Sequence, residues 1–319
     1  MKKETKKIIQ DYMGMIGIPI ALFLLLMLLS PNVTFKNLIS LMQQAVLPSI
    51  LGWGMLLNMR CGNWDFACGS EALLAAIIGG NIAYRLGLGV AGIIICCMIT
   101  GGLLGGLVGL LYYFTGVPTI IASLGIMFVY ESLGSIVFEG KGINISSTKW
   151  VVKSNVTWGV LLAIVVGIFA HFVFYRTKFG YNVRAVGSSM AIAGNSGIKV
   201  PVVKALCLTL VGLFAGIYAA VNLCSVGVIR PVSAMGTMAT CFDAMMCCFI
   251  GFSICFGRNQ VISIFFGAFT MQILKLALLV FGFPTDYNSV VTAFFILIFI
   301  FISNNQDRFA SIRKKAVKA

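Results

Sequence analysis

The chain has 319 residues, of which 60% are hydrophobic and only 10% are charged. Soluble domains are typically about 45–50% apolar and about 25% charged, so this composition excludes an ordinary water-soluble fold and favours a membrane protein. The formal net charge is +14, but the basic residues lie at the ends of apolar runs rather than in an aromatic-interleaved patch, which argues against a nucleic-acid partner.

The chain starts with a basic segment over residues 1–12 that contains four lysines, followed by an apolar run over 13–29. This order resembles a secretory signal, but no small-residue cleavage site precedes Pro31. We therefore interpret the run as a retained first membrane span behind a cytoplasmic segment.

Further apolar runs follow almost to the end of the chain, and a membrane-spanning helix needs about 20 apolar residues. They predict an all-α fold, a polytopic transmembrane helical bundle with about ten spans, and residues 1–319 form a single membrane domain because no stretch remains for a soluble one. The predicted spans are 13–30, 38–59, 66–84, 88–113, 117–138, 156–175, 205–224, 238–256, 261–281 and 289–304.

The distribution of basic residues predicts the orientation. With the N-terminus inside, the inner segments hold 16 Lys and Arg residues and the outer segments hold 6. The positive-inside rule then places both termini in the cytoplasm, including the basic C-terminal segment over 305–319.

Glycines recur at intervals of four residues in two of the predicted spans. Gly101, Gly105 and Gly109 lie in the fourth span, and Gly212 and Gly216 lie in the seventh. Small residues at this spacing let helix backbones approach closely, so both spans are predicted to be interior helices.

Ionisable side chains within spans are costly and tend to face a bundle interior or water. Asp65 follows Asn63 and Trp64 in a polar break between two apolar runs. We interpret it as an acid that lines a pathway, with helix capping as the structural alternative.

Glu71 comes six residues later, not on one helix face with Asp65, so a paired-carboxylate site is not favoured. Asp243 is predicted to cap a helix or to pair with Lys275.

Catalytic and cofactor motifs are missing from the sequence. The single histidine, His171, lies at a span end without partners for a metal or a nucleophile. The cysteines form no CxxC pair, and residues 134–141 have one residue too many for the phosphate-binding motif G-x-x-x-x-G-K followed by Ser or Thr. We expect no catalytic residue, no metal and no cofactor, and any ATP is bound by another polypeptide.

The longest inner loop, residues 175–204, is basic and carries a weakly amphipathic run of small residues over 187–198. It predicts a short helix across the cytoplasmic mouth of the bundle, where a soluble partner would bind. We define the coupling loop as residues 176–204.

Three segments resemble a known family. Residues 62–70 read GNWDFACGS, residues 179–200 run from FG through RAVG to SGIKV, and residues 243–258 run from DA through GFS to GR. In matching order and over nearly the whole chain, they resemble the permeases of bacterial ABC importers for ribose, galactose and related sugars. The departures from the family pattern are Trp64, Ala67, Ser189, Phe252 and Asn259.

The resemblance implies a transport subunit, not an enzyme, in the bacterial plasma (inner) membrane. It forms the path of a sugar delivered by an extracytoplasmic solute-binding protein, together with a cytoplasmic ATP-binding subunit and a second permease copy or paralogue. The candidate solute-path residues are Asn63, Trp64, Asp65, Gly69, Ser70, Glu71, Asp243 and Ser253. The candidate ATPase-coupling residues are Gly187, Ser188, Ser189, Met190, Asn195, Ser196, Gly197 and Ile198. The family pattern also carries over Gly251, Gly257 and Arg258.

Two alternatives stay open at the sequence level. An ABC permease for branched-chain amino acids or nucleosides shares the polar break around Asp65. An ion-coupled secondary transporter would use Asp65, Glu71 and Glu131 as a relay. A membrane-embedded enzyme is the least favoured, because no catalytic set is recognisable.

Overall fold

The structure is a computed structural model that describes residues 16–17, 19–30, 33–148, 150–151, 156–254 and 259–282, together with 287, 290, 294 and 297. These residues are mostly helical, as predicted, because a helix satisfies its backbone hydrogen bonds within an apolar segment. The helices are α1 (Pro19–Leu29), α2 (Phe35–Arg60), α3 (Cys68–Arg85), α4 (Gly89–Thr115), α5 (Thr119–Ile136), α6 (Val156–Arg176), α7 (Lys178–Ser188), α8 (Met190–Asn195), α9 (Val200–Val226), α10 (Met238–Ile254) and α11 (Gln260–Val280).

The length and composition of the helices identify a polytopic membrane protein. Among the described residues, five helices are long and apolar enough to cross a bilayer, or six if the bent pair Val160–Arg176 and Lys178–Ser188 forms one span. The all-α membrane class is thus confirmed, whereas the number of ten spans stays a prediction. The predicted span 289–304 lies mostly outside the described residues, and the basic segments 1–12 and 305–319 lie wholly outside them.

The chain folds into two compact units. One consists of residues 42–245, and the other combines residues 1–41 with residues 246–319. The prediction that residues 1–319 act as a single permease domain is not tested by this division.

Helices α4 and α9 of the 42–245 unit pack closely on each other. A Cβ atom placed on Gly105 would lie 2.7 Å from the Cα atom of Gly212, and one placed on Gly101 would lie 2.7 Å from the Cα atom of Gly216. No side chain fits between the two backbones at these positions, so the predicted close approach through glycines is confirmed.

Helix α3 packs against α4, α5 and α9, and most of its residues are buried. In contrast, α4 and α6 each present large apolar side chains to the outside, among them Leu103 and Ile168. An exposed apolar face beside a packed glycine face is expected for helices that contact both lipid and protein.

A short antiparallel ribbon connects two loops of the same unit. Strand β1 (Ile143–Asn144) follows α5, strand β2 (Val228–Ile229) follows α9, and Ile143 pairs with Ile229. The ribbon holds the ends of α5 and α9 together, and the chain then runs from β2 to the start of α10.

The coupling loop contains two helices. Helix α8 lies within the run over 187–198, where the sequence predicts a short helix, and α7 precedes it without having been predicted. Ser189 is extended (φ −162°) and its hydroxyl accepts a hydrogen bond from the Ile192 N–H at 3.4 Å, so it ends α7 and caps α8.

In the other unit, the end of α10 packs closely on α11. A Cβ atom on Gly251 would lie 2.9 Å from the Cα atom of Ile264. Near the start of the chain, the rings of Phe23 and Phe35 lie 6.4 Å apart and join α1 to the first turn of α2.

Candidate functional site

The polar break predicted from the sequence is a non-helical connection over residues 61–67, between α2 and α3. The side-chain amide of Asn63 donates to the carbonyl oxygen of Lys204 at 3.1 Å, and the Trp64 N–H donates to the Thr119 hydroxyl at 3.2 Å. These bonds tie the connection to the first turns of α9 and α5. Irregular backbone is tolerated inside a membrane protein only where its polar groups are satisfied in this way.

Asp65 is completely buried and lies just before α3. One carboxylate oxygen accepts from the Ala67 N–H at 2.9 Å, and the other accepts from the Asn58 side-chain amide at 3.1 Å. A carboxylate at a helix start also interacts favourably with the helix dipole. The bond to Ala67 joins residues i and i+2, as in an Asx turn, and no side chain caps α3 at its N-cap residue Ala67. Neither predicted role of Asp65, in a solute pathway or as a helix cap, is tested by these contacts.

A second buried carboxylate is bound at the start of α10. Glu131, on α5, is 2% exposed, and its oxygens accept from the Met235 N–H at 3.0 Å, the Thr237 N–H at 2.9 Å and the Thr237 hydroxyl at 2.6 Å. Hydrogen bonds to an ionised group are stronger than neutral ones, so Glu131 holds the chain before α10 in a defined conformation.

That chain includes two consecutive residues in the left-handed region, Ala234 (φ 58°) and Met235 (φ 64°). Residues other than glycine adopt this conformation at a cost of about 1–2 kcal/mol each. The turn directs the N–H groups of Met235 and Thr237 towards one point, and backbone N–H groups that converge in this way bind anions. Here the anion is the carboxylate of Glu131, which offsets the strain of the turn.

The starts of α3 and α10 contact each other. The Gly69 N–H donates to the Cys241 sulfur at 3.1 Å, and a Cβ atom on Gly69 would overlap the carbonyl oxygen of Thr237. The sulfur atoms of Cys68 and Cys241 lie 3.1 Å apart, and the Cys241 thiol also donates to the Phe66 carbonyl oxygen at 3.0 Å. Gly69 is therefore required for this close approach, and Cys241 fills the remaining space.

The next two candidates differ in their surroundings. Ser70 is buried and its hydroxyl donates to the Ala67 carbonyl oxygen at 2.8 Å, within its own helical turn. Glu71 is also fully buried, but neither of its carboxylate oxygens has a hydrogen-bond partner among the described residues. Among Asp65, Glu131 and Glu71, only Glu71 has carboxylate oxygens without a hydrogen-bond partner among the described residues.

The remaining two solute-path candidates come later in the chain. Asp243 lies on α10 and is partly exposed, whereas Ser253 is exposed and donates to the Phe249 carbonyl oxygen at 2.9 Å. Ser253 belongs to the unit formed by the two ends of the chain. Gly257 and Arg258 lie outside the described residues.

The candidate coupling residues form a largely exposed surface on α7, α8 and the turn that follows. Six of the eight are exposed, and Ser189 and Ile198 are partly exposed. Exposed apolar side chains lie beside them, including Tyr181 at 65% and Ile192 at 69% exposure. The arrangement offers a surface with both polar and apolar groups to a protein partner.

Four residues of the site could not be identified as its parts from the sequence. Asn58 is a single polar residue within an apolar run, and Glu131 is recognisable only as an acid within a span. Thr237 and Cys241 have no unusual sequence context, and their roles depend on contacts with residues more than 100 positions away. The sequence does contain one signal for a non-helical segment before α10: Pro231 and Gly236 interrupt an apolar region after β2.

Comparison with protein families gives one match that covers most of the chain. A family model described as "Branched-chain amino acid transport system / permease component" matches residues 37–300. No solved structure matches the chain at a significant level.

Individual relatives are similar over most of their length. The ribose import permease protein of Escherichia coli is 23% identical over 315 residues, which is 95% of this chain and 96% of that protein. The autoinducer 2 import system permease protein of Klebsiella pneumoniae is 26% identical over 287 residues, which is 87% of this chain and 82% of that protein. The fructose import permease protein of Rhizobium meliloti is 23% identical over 82% of this chain and 76% of its own.

Proposed function

The chain belongs to the family of branched-chain amino acid transport system permease components, and from that premise we propose that it forms the path of a neutral polar solute, such as a sugar, through an ATP-driven importer. It is a transport subunit of the plasma (inner) membrane and not an enzyme, and ATP hydrolysis belongs to a separate subunit. The relatives named for ribose and fructose import support a sugar as the solute.

One observation supports a neutral solute. In the 42–245 unit, the starts of α3 and α10 meet, and the backbone at each start already donates to a carboxylate of the protein. Helix N-termini attract anions, and transporters direct such ends at anionic groups of their substrates. Here Asp65 accepts from the backbone before α3, and Glu131 accepts from the backbone before α10. An amino acid carboxylate would have to displace one of these acids, whereas a sugar would not.

We propose Glu71 as the group that contacts the solute. It is buried one turn into α3, and both of its oxygens are without a partner among the described residues. A carboxylate accepts hydrogen bonds from hydroxyl groups, and several hydroxyl groups are what a sugar provides. Asp65 then acts as a positioning residue, because it fixes the start of the helix that carries Glu71.

The exposed surface of α7 and α8 is the proposed docking site for the ATP-binding subunit. The basic residues of the coupling loop support a cytoplasmic position for this surface. We also propose that the chain has ten spans and that both of its termini lie in the cytoplasm. An extracytoplasmic binding protein would deliver the solute on the opposite side, and a second permease copy or paralogue would complete the complex.

Uptake of labelled solutes by cells with and without this chain tests the solute class. Cells that carry the transport system are compared with cells that lack this chain, using radiolabelled D-ribose, D-fructose, uridine and L-leucine. We expect loss of uptake for at least one neutral solute and unchanged leucine uptake. In the same cells, Glu71→Gln should raise the half-saturation concentration about tenfold, since a hydrogen bond to a charged group contributes about 1.5–3 kcal/mol. Loss of leucine uptake alone would contradict the proposal and favour an amino acid permease.

A further inference from the structure

We infer that residues 60–67, which we name the connecting segment, transmit movement of α7 and α8 to the starts of α3 and α10. This inference rests on the proposed function, because it takes the ATP-binding subunit to dock on α7 and α8. It adds a physical route from that docking surface to the helix starts, and it assigns Gly187 a specific role in that route.

Backbone contact at Gly187 joins α7 to the connecting segment. A Cβ atom placed on Gly187 would overlap the carbonyl oxygen of Arg60, the last residue of α2. The two backbones therefore touch without an intervening side chain. A contact of this kind has no rotamers that could absorb a displacement, so movement of α7 acts directly on the first residue of the segment.

Two further contacts lie at the same end of the segment. The Cys61 thiol lies 3.8 Å from the carbonyl oxygen of Val183 on α7, in the range of a weak hydrogen bond to sulfur. A Cβ atom on Gly62 would lie 3.3 Å from the terminal methyl group of Met190 on α8. Gly62 has a φ of +72°, which favours glycine and turns the chain away from α2 at this point.

The middle of the segment is held on both sides. The bonds from Asn63 to Lys204 and from Trp64 to Thr119 attach it to the starts of α9 and α5. These attachments restrict the conformational freedom of the short segment. A displacement at Arg60 therefore moves the rest of the segment instead of being absorbed locally.

The far end of the segment contacts both helix starts of the candidate site. Asp65 accepts from the Ala67 N–H directly before α3, and the Phe66 carbonyl oxygen accepts from the Cys241 thiol on α10. The rings of Phe66 and Phe242 also pack edge to face, with their centroids 6.2 Å apart. Each part of the route from α7 to the two helix starts is thus a direct contact between neighbouring residues.

Hydrogen–deuterium exchange of the intact complex tests the route. The permease is purified through an affinity tag together with its ATP-binding subunit, and exchange in residues 60–67 is compared with and without MgATP plus vanadate. The test variant is Gly187→Ala, which forces α7 away from Arg60. The matched control is Gly125→Ala, where a Cβ atom on an exposed helical glycine meets nothing within 4 Å.

We expect the ATP-binding subunit to co-purify with all three forms, because the methyl group of Gly187→Ala faces Arg60 and the exposed side chains of α7 and α8, such as Tyr181 and Ile192, are kept. Vanadate should alter exchange in residues 60–67 of the wild type and of Gly125→Ala, and Gly187→Ala should reduce this response by about fivefold or more, the lower end of a typical coupling between sites. If Gly187→Ala does not assemble, Cys61→Ala, at a buried residue outside the docking surface, should reduce the response by removing the contact with Val183.

Two different outcomes separate the two claims. If the ATP-binding subunit co-purifies but residues 60–67 do not respond in the wild type, or respond equally in the test variants, the inference is overturned and the proposed function stands. If no ATP-binding subunit co-purifies with the wild type, the proposed function itself is contradicted, and the inference falls with it.

Discussion

Glu131 lies in an apolar helix, and its carboxylate is used entirely by the backbone and hydroxyl group before α10. Removing it would leave the buried N–H and hydroxyl groups of Thr237, and the part-buried N–H of Met235, without this acceptor. Each such loss costs about 1–3 kcal/mol, and the left-handed turn at Ala234 would lose the anion that stabilises it. The sequence identified Glu131 as an acid within a span, but its partner is about 100 residues away and depends on how the chain returns from β2.

We expect Glu131→Ala to lower the free energy of unfolding of the detergent-solubilised protein by about 3 kcal/mol or more, and with it the unfolding midpoint, because at least two buried donors lose a charged acceptor. The measurement is the midpoint of thermal unfolding followed by fluorescence-detected size exclusion. Lys141→Ala is the control: it removes an exposed ion pair with Glu139, and exposed pairs contribute about 0–1 kcal/mol. Equal stability of Glu131→Ala and the control would contradict the role of Glu131 in holding the chain before α10.

The predicted polar break around Asp65 was correct in position, since an acid beside Asn63 and Trp64 interrupts two apolar runs. Its local contacts could not be predicted, because Asn58 lies in the preceding helix and gives no sequence signal of its own. Glu71 stays a predicted solute-path residue, and its missing partners among the described residues are the reason to test it first.

At the scale of the helices, hydrophobicity and glycine spacing predicted more than the polar residues did. The predicted spans 66–84 and 205–224 correspond to Cys68–Arg85 and Val200–Val226. The glycine pattern predicted that α4 and α9 are interior helices, but not that they pack on each other. Helix α7 was missed because it is amphipathic and polar, so hydropathy assigned it to a loop. The chain before α10 was missed because its conformation depends on Glu131 rather than on its own residues.

The packing of α4 on α9 gives a test with adjacent residues. Gly105→Ala would place a methyl group 2.7 Å from the Cα atom of Gly212, whereas Gly106→Ala would place one 3.8 Å from a Thr209 methyl group. We expect Gly105→Ala to separate the helices and to lower the unfolding midpoint, since overpacking typically costs about 1–3 kcal/mol. Gly106→Ala should leave it unchanged or raise it slightly. The same loss in both variants would contradict the packing.

The whole molecule is a membrane permease that lacks a nucleotide-binding motif and carries an exposed surface on its coupling loop. A partner can shift an equilibrium between two conformations only if it binds them with different affinities. Under the proposal that the ATP-binding subunit docks on α7 and α8, the energy for transport enters the permease through that surface. Composition and family resemblance were enough to predict this division of labour, but the solute depends on side-chain contacts that the sequence does not reveal.

Uptake into proteoliposomes tests the central claim most directly. The permease is reconstituted alone or with its ATP-binding subunit, and accumulation of the solute identified in cells, presented on its binding protein, is measured with and without internal MgATP. We predict accumulation only when the ATP-binding subunit and MgATP are both present. Accumulation by the permease alone, abolished by an ionophore, would contradict the account and identify an ion-coupled transporter.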